Sequence, residues 1–190
     1  MVTVRVLFCV FCAGLGYWGW GFNGGVVGHE EQEITSLPRN EGTGEERRRQ
    51  GAYAVVRAAQ KEIGVQEIGQ NTGPRVDQYG AFVGIKRLPW CAAFVSWVFR
   101  EAGYAAPRTA WSPSLFPAKR KVKAAGRGMV MGLYYPSLGR IGHCGIVMGL
   151  RGDFCVTVEG NTGATGQREG QGVWRKTRHK RTIHCYADWL

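Results

Sequence analysis

The chain has 190 residues, a formal net charge of +11 and an apolar content of 44%, enough for one compact domain with its own core. No internal repeat is visible, the four histidines lack paired spacing, and no Cys-x-x-Cys pair falls in the folded part, which argues against repeat arrays and a zinc site. The basic balance favours acidic surfaces without naming one.

Arg5 is the only charge before an uncharged apolar run from Val6 to Phe22, which Asn23-Gly24-Gly25 and the acidic His29-Glu30-Glu31 follow. Residues 1–28 therefore read as a signal peptide, with Gly14 and Gly16 as small residues for cleavage, or as a membrane anchor. The expected location is the cell envelope, periplasmic, secreted or membrane-anchored, against a misassigned start or cytoplasmic storage before lysis. Cys9 and Cys12 lie inside that leader, and Phe8 and Phe11 occupy the places where a lipoprotein signal needs small residues. Residues 29–49 read as a polar linker, with Pro38, Gly42, Gly44 and the charge run Glu45 to Arg49. The folded domain is expected over 50–190. Its first helix carries Tyr53, Val56, Ala59, Gln60 and Ile63 at helical spacing, read as core, and stops at Gly64.

Leu88-Pro89-Trp90-Cys91-Ala92-Ala93-Phe94-Val95 puts one cysteine at the opening of an apolar helix. Backbone N–H groups and the positive end of the helix dipole gather there and stabilise a thiolate, the nucleophilic form of sulfur. A lone cysteine in an apolar helix is more often core filler. The downstream runs Arg140 to Gly149 and Val156 to Thr162 change that balance: both are strand-like, and Leu150-Arg151-Gly152-Asp153 between them signals an antiparallel hairpin. Side chains alternate along strands, so His143 shares a face with Glu159 and Asn161 only if facing residue numbers sum to an even value. A loop of three or five residues satisfies this, whereas two or four turn Glu159 away. Arg151-Gly152 would suit a tight two-residue turn, yet the odd loop is the expectation, because a histidine base needs a polar partner to orient it.

Together, Trp90-Cys91-Ala92-Ala93-Phe94-Val95, Gly142-His143-Cys144-Gly145-Ile146-Val147 and Glu159-Gly160-Asn161-Thr162 resemble the CHAP family of cysteine, histidine-dependent amidohydrolases and peptidases, relatives of NlpC/P60 and papain-like domains. The resemblance runs from about Tyr53 to the C-terminus. The coarse order, helices first and then strands, fits an α+β domain with helices packed on an antiparallel sheet; the resemblance implies that this fold is papain-like and that the activity is hydrolysis of amide bonds in the peptide part of peptidoglycan. Carried over by residue, it makes Cys91 the nucleophile, His143 the base and then acid, and Glu159 the residue orienting His143, with Asn161 in a fourth polar place. It calls for no cofactor and no metal. Two departures stand out: Gly128-Met129 occupies the place of a usual Gly-Asp pair, and Cys144 that of a usual apolar residue.

Trp90 beside Cys91 is a candidate for contact with substrate as well as for packing. Cys144, Cys155 and Cys185 sit in strand-like runs and read as buried thiols, or as disulfide partners after export. The basic runs Lys119 to Lys123 and Arg175 to Arg181 read first as solvated faces and edge guards, and would aid adsorption to anionic wall polymers. No specific nucleic-acid partner is implied, since no recognition motif accompanies them. Two other readings stay open at this point: a catalytically silent wall-binding module of the same fold, and an amidohydrolase of a soluble peptide conjugate.

Overall fold

The structure, a computed structural model, describes residues 43–163 and 170–190. Contacts divide the chain into Met1–Arg39 and Asn40–Leu190, and the described residues belong to the second unit. The leader, the Cys9 and Cys12 pair and the start of the linker lie outside the described residues. Among the described residues the architecture is α+β, with three helices and one six-stranded antiparallel sheet.

Helix α1 spans Gly44–Lys61, so it begins inside the segment read as linker. Thr43 explains the early start: its hydroxyl accepts the Glu46 N–H at 3.2 Å, and Glu45 and Glu46 sit in the first turn, where the helix dipole favours acids. Its buried residues are Ala52, Val55, Val56, Ala58 and Ala59, while Tyr53 and, past the helix end, Ile63 are 52% and 40% exposed. The expected apolar face was thus displaced around the helix, because small residues rather than Tyr53 fit close packing there. Helix α2, Pro74–Val83, opens on proline and ends at Gly84. Helix α3, Cys91–Glu101, is buried from Cys91 to Phe99. It sinks its whole circumference into the core, and each large side chain so buried contributes about 1.5–3 kcal/mol.

The strands are β1 (Lys121–Val122), β2 (Val130–Tyr135), β3 (Arg140–Arg151), β4 (Phe154–Thr162), β5 (Gly172–His179) and β6 (Cys185–Ala187), in spatial order β1-β6-β2-β3-β4-β5. One core layer joins α3 to Val130, Cys144, Ile146 and Val158, and a second joins Met131, Leu133, Val147 and Cys155.

The β3–β4 hairpin corrects the expected turn. Arg151 pairs with Phe154 across a two-residue loop, Gly152-Asp153, which alone would carry Glu159 to the wrong face. The register then shifts between Val147 and Gly149, so that Val147 pairs with Thr157 and Ile146 with Val158. One extra residue, Met148, restores the even sum. The bulge accomplishes what a longer loop was expected to do, and His143 and Glu159 end on a common face.

Candidate active site

Cys91 is the first residue of α3, and no side chain caps that helix start. Its sulfur lies 3.3 Å from the Ser112 hydroxyl, with Cys144 and His143 near enough to act on its charge. The Cys144 contact does most to lower the Cys91 pKa, burial opposes it, and His143 and then Ser112 add to the lowering; the net result lies well below the usual thiol value. His143 Nε2 meets Glu159 Oε2 at 2.9 Å, which leaves Nδ1 for the sulfur. Burial works against charge on His143, but Cys91 and Glu159 outweigh it and raise its pKa to about 9. Both shifts favour the thiolate–imidazolium form of the pair over the neutral one.

Glu159 is fully buried with every acceptor position used. Oε1 accepts from Thr157 Oγ1 and Arg178 Nε at 2.6 Å each, while Oε2 accepts from Arg178 Nη2 at 2.6 Å besides the imidazole. Burial raises its pKa, but Arg178 and then His143 prevail and hold the carboxyl at about 2. Two motif glycines make room for this packing. A Cβ on Gly145 would come within 2.6 Å of Glu159 Cγ, and one on Gly160 within 2.6 Å of Phe94 and 2.7 Å of Trp90. Gly145 admits the carboxylate behind β3, and Gly160 lets β4 close against the start of α3.

Asn161 does not touch the imidazole. It is buried at φ +54°, and in the amide orientation that satisfies both ends it donates to the Gly170 carbonyl at 3.0 Å and accepts the Trp90 N–H at 3.1 Å. Its contacts hold the peptide just before Cys91. Trp90 is 1% exposed, its indole N–H donates to Glu67 Oε1 at 2.7 Å, and its ring packs at 5.5 Å on Tyr79. That burial fits the packing alternative, in which Trp90 is a post that fixes the entry to α3. A cavity of about 380 Å³, lined by Glu67, Asn71, Asn161 and Gly170 among others, opens beside it.

Sequence reasoning missed Arg178, Ser112, Thr157 and the proximity of Cys144 to Cys91. Arg178 belongs to a basic run that reads as solvated, yet its side chain is 18% exposed and grips Glu159. The one available signal was alternation: Trp174, Lys176 and Arg178 pair with Glu159, Thr157 and Cys155, and so share their face.

No family model matches the chain, and no curated protein matches it. Among solved structures, the chain is similar to the crystal structure of Ly7917 with the hydrolyzing product of MDP, at 16% identity over 71% of this chain and 61% of that one, with a TM-score of 0.43. A second crystal structure of Ly7917 gives 15% identity over 71% and 60%, with the same TM-score of 0.43. The chain thus spans about three fifths of those proteins, a likeness too distant to assign any residue a role.

Proposed function

We propose that the protein is a cysteine-dependent hydrolase of the CHAP type that cuts amide bonds in the peptide part of peptidoglycan. The observation that carries this reading is the hydrogen-bonded series His143–Glu159–Arg178 beside the Cys91 sulfur, whose charge and that of the imidazole support each other. The substrate class comes from the likeness of the three motif blocks to that family, because the site chemistry by itself specifies only acyl transfer. The Cys91 thiolate attacks the amide carbonyl, and backbone N–H groups at the start of α3 hold the oxyanion, a contribution of about 3–4 kcal/mol to the barrier. The His143 imidazolium protonates the leaving amine. Neutral His143 then takes a proton from water as the thioester is hydrolysed. Glu159 is a positioning residue: it fixes the ring and favours its charged form.

Adsorption to acidic wall polymers is assigned to the opposite end of the sheet. Lys121 and Lys123 from one basic run and Lys180 from the other line a cavity of about 690 Å³ with no acidic residue in its walls. Export or membrane attachment through residues 1–28 completes the proposal. Purified protein should release new amino groups from peptidoglycan, and mass spectrometry of the fragments would identify the bond cut. Cys91→Ala should still bind sacculi and release none. Equal release by that variant would refute the nucleophile.

A further inference from the structure

Cys144 stands where the resembling family usually has an apolar residue, and it is fully buried on the face of β3 that meets α3. Its neighbours are chemical rather than merely apolar. The Ser112 hydroxyl lies 3.3 Å from Cys91 Sγ and 4.0 Å from Cys144 Sγ, so one hydroxyl touches both sulfurs. Both cysteines are free thiols in the structure. An alanine or valine would fill the same volume, so packing alone gives no reason for a second sulfur against the first.

We propose that Cys91 and Cys144 form a reversible disulfide when Cys91 is oxidised by a peroxide, so that Cys144 is the resolving thiol of the site. The order of events follows from exposure: Cys91 is 6% exposed at the helix mouth, while Cys144 is wholly enclosed. A peroxide reaches the outer sulfur first. The Cys91 thiolate attacks one peroxide oxygen, the O–O bond breaks, and the sulfur loses two electrons as it becomes a sulfenic acid; the hydroxide that leaves takes a proton and becomes water. The Cys144 sulfur then attacks the Cys91 sulfur. Its own proton accompanies the departing hydroxyl as a second water, and the S–S bond closes. Two thiols and one hydrogen peroxide give one disulfide and two waters. Cys144 is suited to the waiting role, because burial and then the adjacent Cys91 sulfur hold its pKa well above the ordinary thiol value.

The consequence is protection as well as inhibition. A sulfenic acid left alone proceeds to sulfinic and sulfonic acids that thiols do not reverse, whereas the disulfide returns to two thiols with dithiothreitol. The inference rests on Cys91 being the reactive thiolate of the proposed function but not on the substrate. Its test therefore reads the cysteines directly. The full chain is treated with graded hydrogen peroxide, alkylated, digested and mapped by mass spectrometry. The expected result is a linked Cys91–Cys144 peptide pair, 2 Da lighter than the two reduced peptides, which dithiothreitol restores to free thiols. In Cys144→Val the same treatment should instead put two or three oxygens on Cys91, irreversibly, and at least tenfold less activity should return on reduction. Over-oxidised Cys91 in the unaltered chain, or linkage of Cys91 to Cys155 or Cys185, would overturn the proposal whatever the enzyme cuts. Cys144→Ser, which keeps a hydroxyl in that space, provides a second variant should valine disturb folding.

Discussion

Two buried glutamates in this molecule have nearly the same partners and different consequences. Glu62, at the end of α1, receives Arg75 Nε at 2.8 Å and Nη2 at 2.6 Å, and the Tyr79 hydroxyl donates to it as well. Glu159 receives Arg178 in the same two-pronged way, with the His143 imidazole in place of the phenol. At Glu62, burial pushes the Tyr79 hydroxyl far above its usual range, so its proton stays in place and the cluster simply ties α2 to the end of α1. At Glu159 the third partner titrates at about 9 and stands between the carboxylate and a sulfur. A buried arginine–glutamate pair is therefore no sign of a site. What distinguishes one is a third group that can give up and recover a proton within reach of a nucleophile.

That contrast can be broken most severely at the sulfur. Cys91→Ala should lower amide hydrolysis by about 10⁴-fold or more, as removal of a nucleophile does elsewhere, measured as amino groups released from peptidoglycan. Next, Glu159→Gln keeps a hydrogen-bonding shape but removes the charge. It should lower kcat/KM by about 10²–10⁴-fold, and the alkaline limb of the pH profile should move down from about 9, because Glu159 raises the His143 pKa. A profile unmoved in that variant would separate Glu159 from the imidazole.

Arg178→Met should reduce stability by roughly 3 kcal/mol, since it leaves a buried carboxylate without its main cation, read as a lower urea midpoint. The sign of the accompanying pH effect is fixed. Glu159 has its pKa depressed from 4.5 to about 2, so its contribution to stability is present above about 4.5 and fades as pH falls toward 2; Arg178→Met should weaken that acid dependence. The smallest effect belongs to the other carboxylate. Glu62→Gln should cost about 1–3 kcal/mol of stability and leave kcat and the pH profile of the folded protein unchanged. A change in that profile would show that the two clusters are not separate in function.

The sequence carried the local parts of this arrangement. Pro89-Trp90-Cys91 before an apolar run marks the start of α3, and glycines around β-branched residues mark β3 and β4. The α+β class followed from helices in the first half and strands in the second. What escaped was non-local or a matter of one residue. The Met148 bulge cannot be separated from a longer turn by alternation alone, because both give the same parity at His143. Arg178 looked like any basic residue of a strand until β5 was laid beside β4. Ser112 lies in a short turn far from Cys91 in sequence, and no periodicity announces such a contact. At Trp90, adjacency to Cys91 is compatible with a cleft or with packing, and only the fold shows Tyr79, Glu67 and Gly160 around the ring.

The central claim is that Cys91 rests as a thiolate paired with the imidazolium of His143. The rate of Cys91 alkylation by iodoacetamide, followed peptide by peptide across pH, tests it without any substrate. The account predicts a rate already on its plateau at neutral pH, falling only in acid, with a further change near 9 as His143 loses its proton. A rate that climbs instead through the ordinary thiol range, near pH 8.5, and is unchanged in His143→Ala would contradict the ion pair and with it the proposed chemistry.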